Sequence, residues 1–235
     1  MKLVGIDRCR NAWLVAESDD GLATVEYRVE PDLGAVLVEL DGETSRVIVD
    51  VPIGLPVSQP RAVDLAARRL LGPPRGSSVF PVPMRAALAG TTYLEASSLN
   101  FEACGRKLSV QAFGILDGIR DLDRTMTPER QEWIREGHPE VTFAMLSGGE
   151  RGVPSPKKAP DGEATRLELL GAYLPVQDID AVRHRLGRNR VARNDAVDAL
   201  AMLVSASRLQ RGVASVLPLD GVEYDERGLR MEMVA

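Results

Sequence analysis

The chain has 235 residues, 44% of them hydrophobic and 27% charged, which suits a soluble globular protein able to bury a sizeable core. Its net charge of −5 excludes a strongly basic, non-specific binder of duplex DNA. No apolar run approaches the ~20 residues of a membrane span, the N-terminus lacks an apolar signal segment, and Cys9 and Cys104 make neither a disulfide framework nor a CxxC pair, so a reducing cytoplasm is expected.

In chain order, "KLVGIDRC", "NAWLVAES" and "LATVEYRV" predict three strands joined by short gaps, an antiparallel meander. "PDLGAVLVELD" predicts a helix with Pro31 near its start. "RVIVDVP" predicts a fourth strand, buried on both faces because its apolar run is unbroken. "RAVDLAARRLLG" is a helix ending at Gly72, and "PPRGSSVFPVP", with four prolines, a loop over a surface or a site. Residues 107–124 carry helical spacing. "EWIREGHPEVTFAML" predicts a short strand, a turn at Pro139 and a helix, and "GGERGVPSPKKAPDG" a polar loop. Helices are expected at 162–173, about 178–186 and 194–211, followed by a small hairpin over 221–235. With no repeat, low-complexity tract or linker, the expectation is one domain spanning 1–235.

Several acids stand out. Asp7 interrupts the apolar first strand, and Asp50 ends the fourth, where Pro52 and Gly54 turn the chain away. Burying a carboxylate without a partner costs several kcal/mol or shifts its pKa. Asp195 and Asp198, three apart in the first turn of the last long helix, share one face. They are equally suited to capping that helix and favouring its dipole. Glu136, His138 and Glu140 alternate around Pro139, and His138 is a candidate base, phosphate contact or structural hydrogen-bonder. Acids on the first strand, the fourth strand and the last helix form the pattern of a divalent-cation site, because clustered carboxylates need a cation to stay ionised together. Oxygen ligands point to Mg²⁺ or Mn²⁺ rather than zinc, and two such ions would activate a water and stabilise a leaving oxygen of a phosphodiester.

Positive charge is local. "RHRLGRNRVAR" (183–193) holds five arginines and no acid, directly before the last helix. It is either a solvated loop or a phosphate-binding patch in which Arg185, Arg188, Arg190 and Arg193 hold a nucleic-acid backbone. Lys157 and Lys158 of "SPKK" are further candidate phosphate contacts. No Gly-x-x-x-x-Gly-Lys-Ser/Thr loop and no Gly-x-Ser-x-Gly elbow is present. Ten aromatic residues offer little for a single-strand stacking platform.

The stretches "GIDRCRNAWLVA", "VDVPIGLP", "SSVFPVP", "KLSVQAFGI", "GHPEVTF", "PKK" with the following "DG", and "NDAVDALA" cover roughly residues 5–206. Together they resemble an uncharacterised family of predicted RNase H-like nucleases (domain of unknown function 429), related to RuvC-type resolvases. The resemblance implies an α/β ribonuclease H-like fold: a central mixed five-stranded sheet flanked by helices, with a helical insertion and a C-terminal hairpin. It implies that Asp7 is the first-strand acid, Asp50 the fourth-strand acid, and Asp195 and Asp198 the paired acids of the final helix. Asp50 stands where resolvases commonly have the longer Glu, and Arg8 stands where small residues are frequent and is expected to crowd or screen the site. The function expected is a Mg²⁺- or Mn²⁺-dependent nuclease acting on structured or branched nucleic acid, with Glu140 and His138 as further catalytic candidates and a homodimer compatible with the chain. The alternatives are a non-catalytic RNase H-fold binding module and a metal-dependent enzyme on a small phosphorylated substrate; an actin–hexokinase-type phosphotransferase would need two such domains.

Overall fold

Side-chain alternation along the strands splits the core into two layers, one on each side of the sheet. The computed structural model describes residues 1–175 and 177–235. Strand β1 (Lys2–Cys9) pairs antiparallel with β2 (Ala12–Ser18), which pairs antiparallel with β3 (Glu26–Glu30). The β1–β2 turn closes through Asn11 in the left-handed region, a conformation asparagine tolerates. Helix α1 (Leu33–Val38), capped by Asp32, leads to β4 (Ser45–Val49), which lies parallel to β1. Strand β5 (Ile134–Glu136) adds in parallel outside β4, giving a mixed five-stranded sheet ordered β3-β2-β1-β4-β5 with flanking helices.

Between β4 and β5 lies the helical insertion: α2 (Ala62–Leu71), α3 (Tyr93–Cys104), α4 (Val110–Gly114) and α5 (Leu116–Thr125). The single helix expected over 107–124 is two, broken at Gly114–Ile115. After β5 come α6 (Pro139–Leu146), α7 (Pro160–Gly171), α8 (Ile179–Leu186) and the long α9 (Arg193–Gln210). The tail forms two small ladders rather than one hairpin: β6 (Val216–Leu217) with β9 (Met233–Val234), and β7 (Glu223–Tyr224) with β8 (Arg230–Met231). Among the described residues no helix is long and apolar enough to cross a membrane.

Val4, Ile6, Val47 and Val49 face α1 and α5, packing with Leu33, Val36, Ile119 and Leu122. Leu3, Cys9 and Ile48 face the other way, onto Ala199, Leu200 and Leu203 of α9. With period two, Gly5 and Asp7 fall on the α9 side. A Cβ on Gly5 would lie 2.2 Å from the Leu203 nitrogen and 2.3 Å from the Ala199 carbonyl oxygen, so glycine is what lets helix and strand approach. Arg8 falls on the opposite face. Its guanidinium stacks 5.1 Å from the Trp13 ring and lies 3.8 Å from Asp121, so it does not crowd Asp7.

Candidate active site

Asp7 and Asp50 emerge on the same face. The Asp50 N–H donates to the Ile6 carbonyl at 2.9 Å, continuing the parallel ladder by one residue beyond β4. That places Asp50 beside Asp7 on the adjacent strand, under the first turns of α9. Burial, then the charges of Asp50, Asp198 and Asp195, push Asp7 well above the usual carboxylate range. Burial raises Asp50 too, while His138, Lys157 and a hydrogen bond with Asp7 work against the rise. The two carboxyls are therefore close enough to share a proton.

Asp198, 2% exposed, is pushed up to about 6, by burial first and then by Asp50 and Glu140 against the pull of Lys157. One of its oxygens accepts from Lys157 Nζ at 2.6 Å; the other, Oδ1, is buried without a hydrogen-bond partner. Burial works against the charge of Lys157, yet Asp198, Asp7 and Asp50 hold its pKa above the ordinary lysine value. The one ammonium lowers all three acids, but burial outweighs it, so the acids stay raised while the lysine stays charged. Asp195 lies nearer the rim and is raised by burial; it also caps the helix, accepting from Ala192 N–H and Asn194 Nδ2, each at 2.9 Å.

Two buried arginines hold the loops that carry this chemistry. Arg61 is fully buried, 2.7 Å from Glu136 Oε2 and 2.6 Å from Asp64 Oδ1. It also donates to the Ile53 and Gly54 carbonyls, while Glu136 accepts from Ile53 N–H at 2.6 Å. That network fixes the turn after Asp50. Arg166, also fully buried, donates to both oxygens of Glu140 at 2.8 and 2.7 Å and clamps the Ser155 and Gly162 carbonyls, on either side of Lys157. Glu140 was expected among the reacting groups; both its oxygens are engaged by Arg166, so it positions the Lys157 loop.

The remaining sequence candidates divide. His138 sits at the start of α6 with Nε2 3.4 Å from the Ser78 carbonyl and its buried Nδ1 without a partner. Lys158 is exposed, and its charge reaches Asp195. Arg193, partly exposed, is paired: it bonds Glu163 at 2.6 Å and Asp180 at 2.7 Å, tying α9 to α7 and α8. Arg185, Arg188 and Arg190 are exposed and, among the described residues, make no ion pair. The Lys157–Asp198 pair and the two arginine clamps were not foreseen, because each joins segments far apart in the chain.

The donors suit a hard divalent cation: carboxylate oxygens only, one of them buried and unpartnered. Among the described residues, however, no three His, Cys, Asp or Glu side chains stand in ready-made ligating geometry. Lys157 holds part of that space. Lys157→Met is therefore expected to lower the melting temperature in EDTA, most at alkaline pH, and to enlarge the rise in melting temperature that Mn²⁺ produces. Melts with and without Mn²⁺ check this; an unchanged Mn²⁺ response would show that lysine and cation do not compete.

No curated protein and no solved structure matches the chain. One family profile does, over residues 5–222, nearly the whole length. The chain therefore belongs to the family described as Protein of unknown function (DUF429).

Proposed function

We propose that the protein is a divalent-cation-dependent phosphodiesterase of ribonuclease H-like fold, acting on nucleic acid. One observation carries this: Asp7, Asp50 and Asp198, from two adjacent strands and a packed helix, meet on one sheet face, all three raised by burial and Asp7 further by the other two, with an Asp198 oxygen left unpartnered. The strand order, three antiparallel then two parallel, agrees with the fold the resemblance implies. Asp7, Asp50 and Asp198 would hold Mg²⁺ or Mn²⁺, with Asp195 at the edge. Bound there, the cation supplies Lewis-acid stabilisation of phosphodiester oxygens and acidifies a water. Lys157 offers a fixed positive charge to a phosphate oxygen, and Arg61 and Arg166 keep the Asp50 turn and the Lys157 loop in place. The structured or branched character of the substrate rests on the likeness to resolvases.

The test is cleavage of labelled branched, single-stranded and duplex oligonucleotides in Mn²⁺, Mg²⁺ or EDTA. Cation-dependent cutting by the native protein and none by Asp7→Asn is expected. Binding in Ca²⁺ gives a second readout. Arg188→Ala/Arg190→Ala should weaken it similarly for all sequences and flatten its log–log salt slope by roughly one unit for each phosphate no longer neutralised. An unchanged slope would remove that loop from the binding face. The non-catalytic alternative draws on the Lys157–Asp198 pair and the Asp195 cap, which neutralise part of the cluster without a cation. Absence of cutting under all these conditions would favour it.

A further inference from the structure

A cavity of about 220 Å³ opens beside Asp50. Its walls are apolar: Val51 and Pro52 from the turn after β4, Val79, Phe80 and Val82 from the proline-rich loop, and Ile115 from the break between α4 and α5. At its floor lie Arg61, Asp64 and Glu136, already bonded to one another and to the Ile53–Gly54 backbone. They therefore present no free charge to a ligand. The other polar groups along it are Asp50, Lys157, which Asp198 holds, and His138, whose Nε2 lies 3.4 Å from the Ser78 carbonyl.

A ligand for this space has a neutral, flat or apolar body and one charged end. The body must match apolar walls and at most one or two hydrogen bonds, and the charge must lie toward Asp50 and Lys157. A cavity of roughly 150 Å³ accepts benzene, so this one has room for a larger ring. Phe80, 41% exposed, lines the cavity and offers an aromatic face on which a flat ring can stack. A nucleotide has this chemistry: a base to stack on Phe80 and meet His138, and a phosphate for the cluster. Bases inside a continuous duplex stay stacked and paired and cannot enter such a cavity; an unpaired or extruded base can.

We infer that the cavity holds a single unpaired nucleobase next to the phosphate to be cleaved, which makes nucleic acid with an unpaired nucleotide at that position the substrate class. This rests on the phosphodiesterase reading. It also gives the proline-rich loop a purpose beside the end of β4: Val79, Phe80 and Val82 build one wall while Pro81 and Pro83 restrict the backbone.

Two measurements separate failure of the cavity from failure of the nuclease. In the first, AMP and ribose 5-phosphate are titrated into the intact protein in Ca²⁺. AMP is expected to bind at least roughly tenfold more tightly, the scale of one base stacked on an aromatic ring. Phe80→Ala should abolish that difference and Phe80→Trp retain it; Phe80 is exposed, so melts should show both variants folded. Equal binding of AMP and ribose 5-phosphate would overturn the inference whether or not the protein cuts anything.

In the second, a flap substrate, the same flap with an abasic nucleotide beside the junction, and a continuous duplex are incubated with Mn²⁺. The flap should be cut fastest. The abasic change should slow the native protein about tenfold and leave the slower Phe80→Ala variant unaffected. Equal cutting of flap and duplex would overturn the inference and keep the nuclease. No cutting, with base-dependent AMP binding, would support the nucleobase cavity, overturn the nuclease, and make a free mononucleotide the source of the base.

Discussion

Asp7→Asn is expected to abolish cation-dependent cleavage and to raise the melting temperature of the protein in EDTA at pH 8. Losing a ligand of the cation that would stabilise charge at the reacting phosphate should remove several kcal/mol of transition-state stabilisation, roughly three powers of ten in rate. The stability effect has the opposite sign. Burial first, then the neighbouring acids, raise Asp7, and burial with Asp50 brings Asp198 to about 6. A carboxyl raised in the folded state contributes stability that is complete below its unfolded pKa near 4 and is lost as pH rises through its folded pKa. The cation-free native protein should therefore melt lower at pH 8 than at pH 5. Asp198 alone, raised to about 6, accounts for about 1.4 kcal/mol of that difference between pH 5 and pH 8, or roughly 3–6 °C for a chain of this size. Asn at position 7 removes one buried charge and relieves its neighbours, so the variant's melting temperature should fall less with pH. Mn²⁺ should flatten the native protein's curve in the same way. A variant that melts far below the native protein at every pH would show that Asp7 is structural.

Arg61→Met is the second large effect, and it is one of stability. Arg61, Asp64 and Glu136 are 0%, 3% and 2% exposed. Burial pushes Glu136 up to about 7 even with Arg61 against it. Removing the guanidinium strands two carboxyls in the core, at a cost of about 3–5 kcal/mol, or roughly 6–20 °C. With Arg61 gone Glu136 is raised further, so by the same sign rule the deficit is smallest at acid pH and grows toward pH 8. Melts at pH 5.5 and 8 read this directly. Changing Asp64 and Glu136 to Asn and Gln in the same chain should recover part of the loss. A single variant that melts with the native protein would mean the triad is dispensable, and the Asp50 turn would need another support.

The strands and the antiparallel meander were legible because the signal is local: apolar residues with period two, short turns, and a run at 47–49 buried on both faces; the place of β4 beside β1 came with the family resemblance. The alternation also placed Asp7 and Asp50, since an acid at a core-facing strand position has few other uses. Helix α3 escaped although its cap is written in the sequence. Thr92 accepts from Glu95 N–H and Glu95 accepts from Thr92 N–H, a capping box ahead of Tyr93, and Gly105 closes the other end in the left-handed region. Its apolar residues lack a clear helical stripe, so periodicity alone does not find it. Glu140 and Arg193 mark another limit. Residue type and neighbourhood suggested chemistry, but Arg166 and Glu163, 26 and 30 positions away, settle them as ion pairs. The sharing of Lys157 with Asp198 spans 41 positions and is likewise written only in the fold.

Gly5 gives the carboxylate cluster a single adjustable dimension. Strand β1 is central and paired on both sides, so it cannot retreat. Helix α9 rests on it backbone to backbone at Gly5, two residues before Asp7. Any atom added there must be absorbed by the helix, which carries Asp195 and Asp198 as one rigid piece. Asp7 and Asp50 belong to the sheet, and the other two acids to the helix. The cluster therefore behaves as a caliper with two stiff jaws, whose opening is set at a position that bears no chemistry of its own.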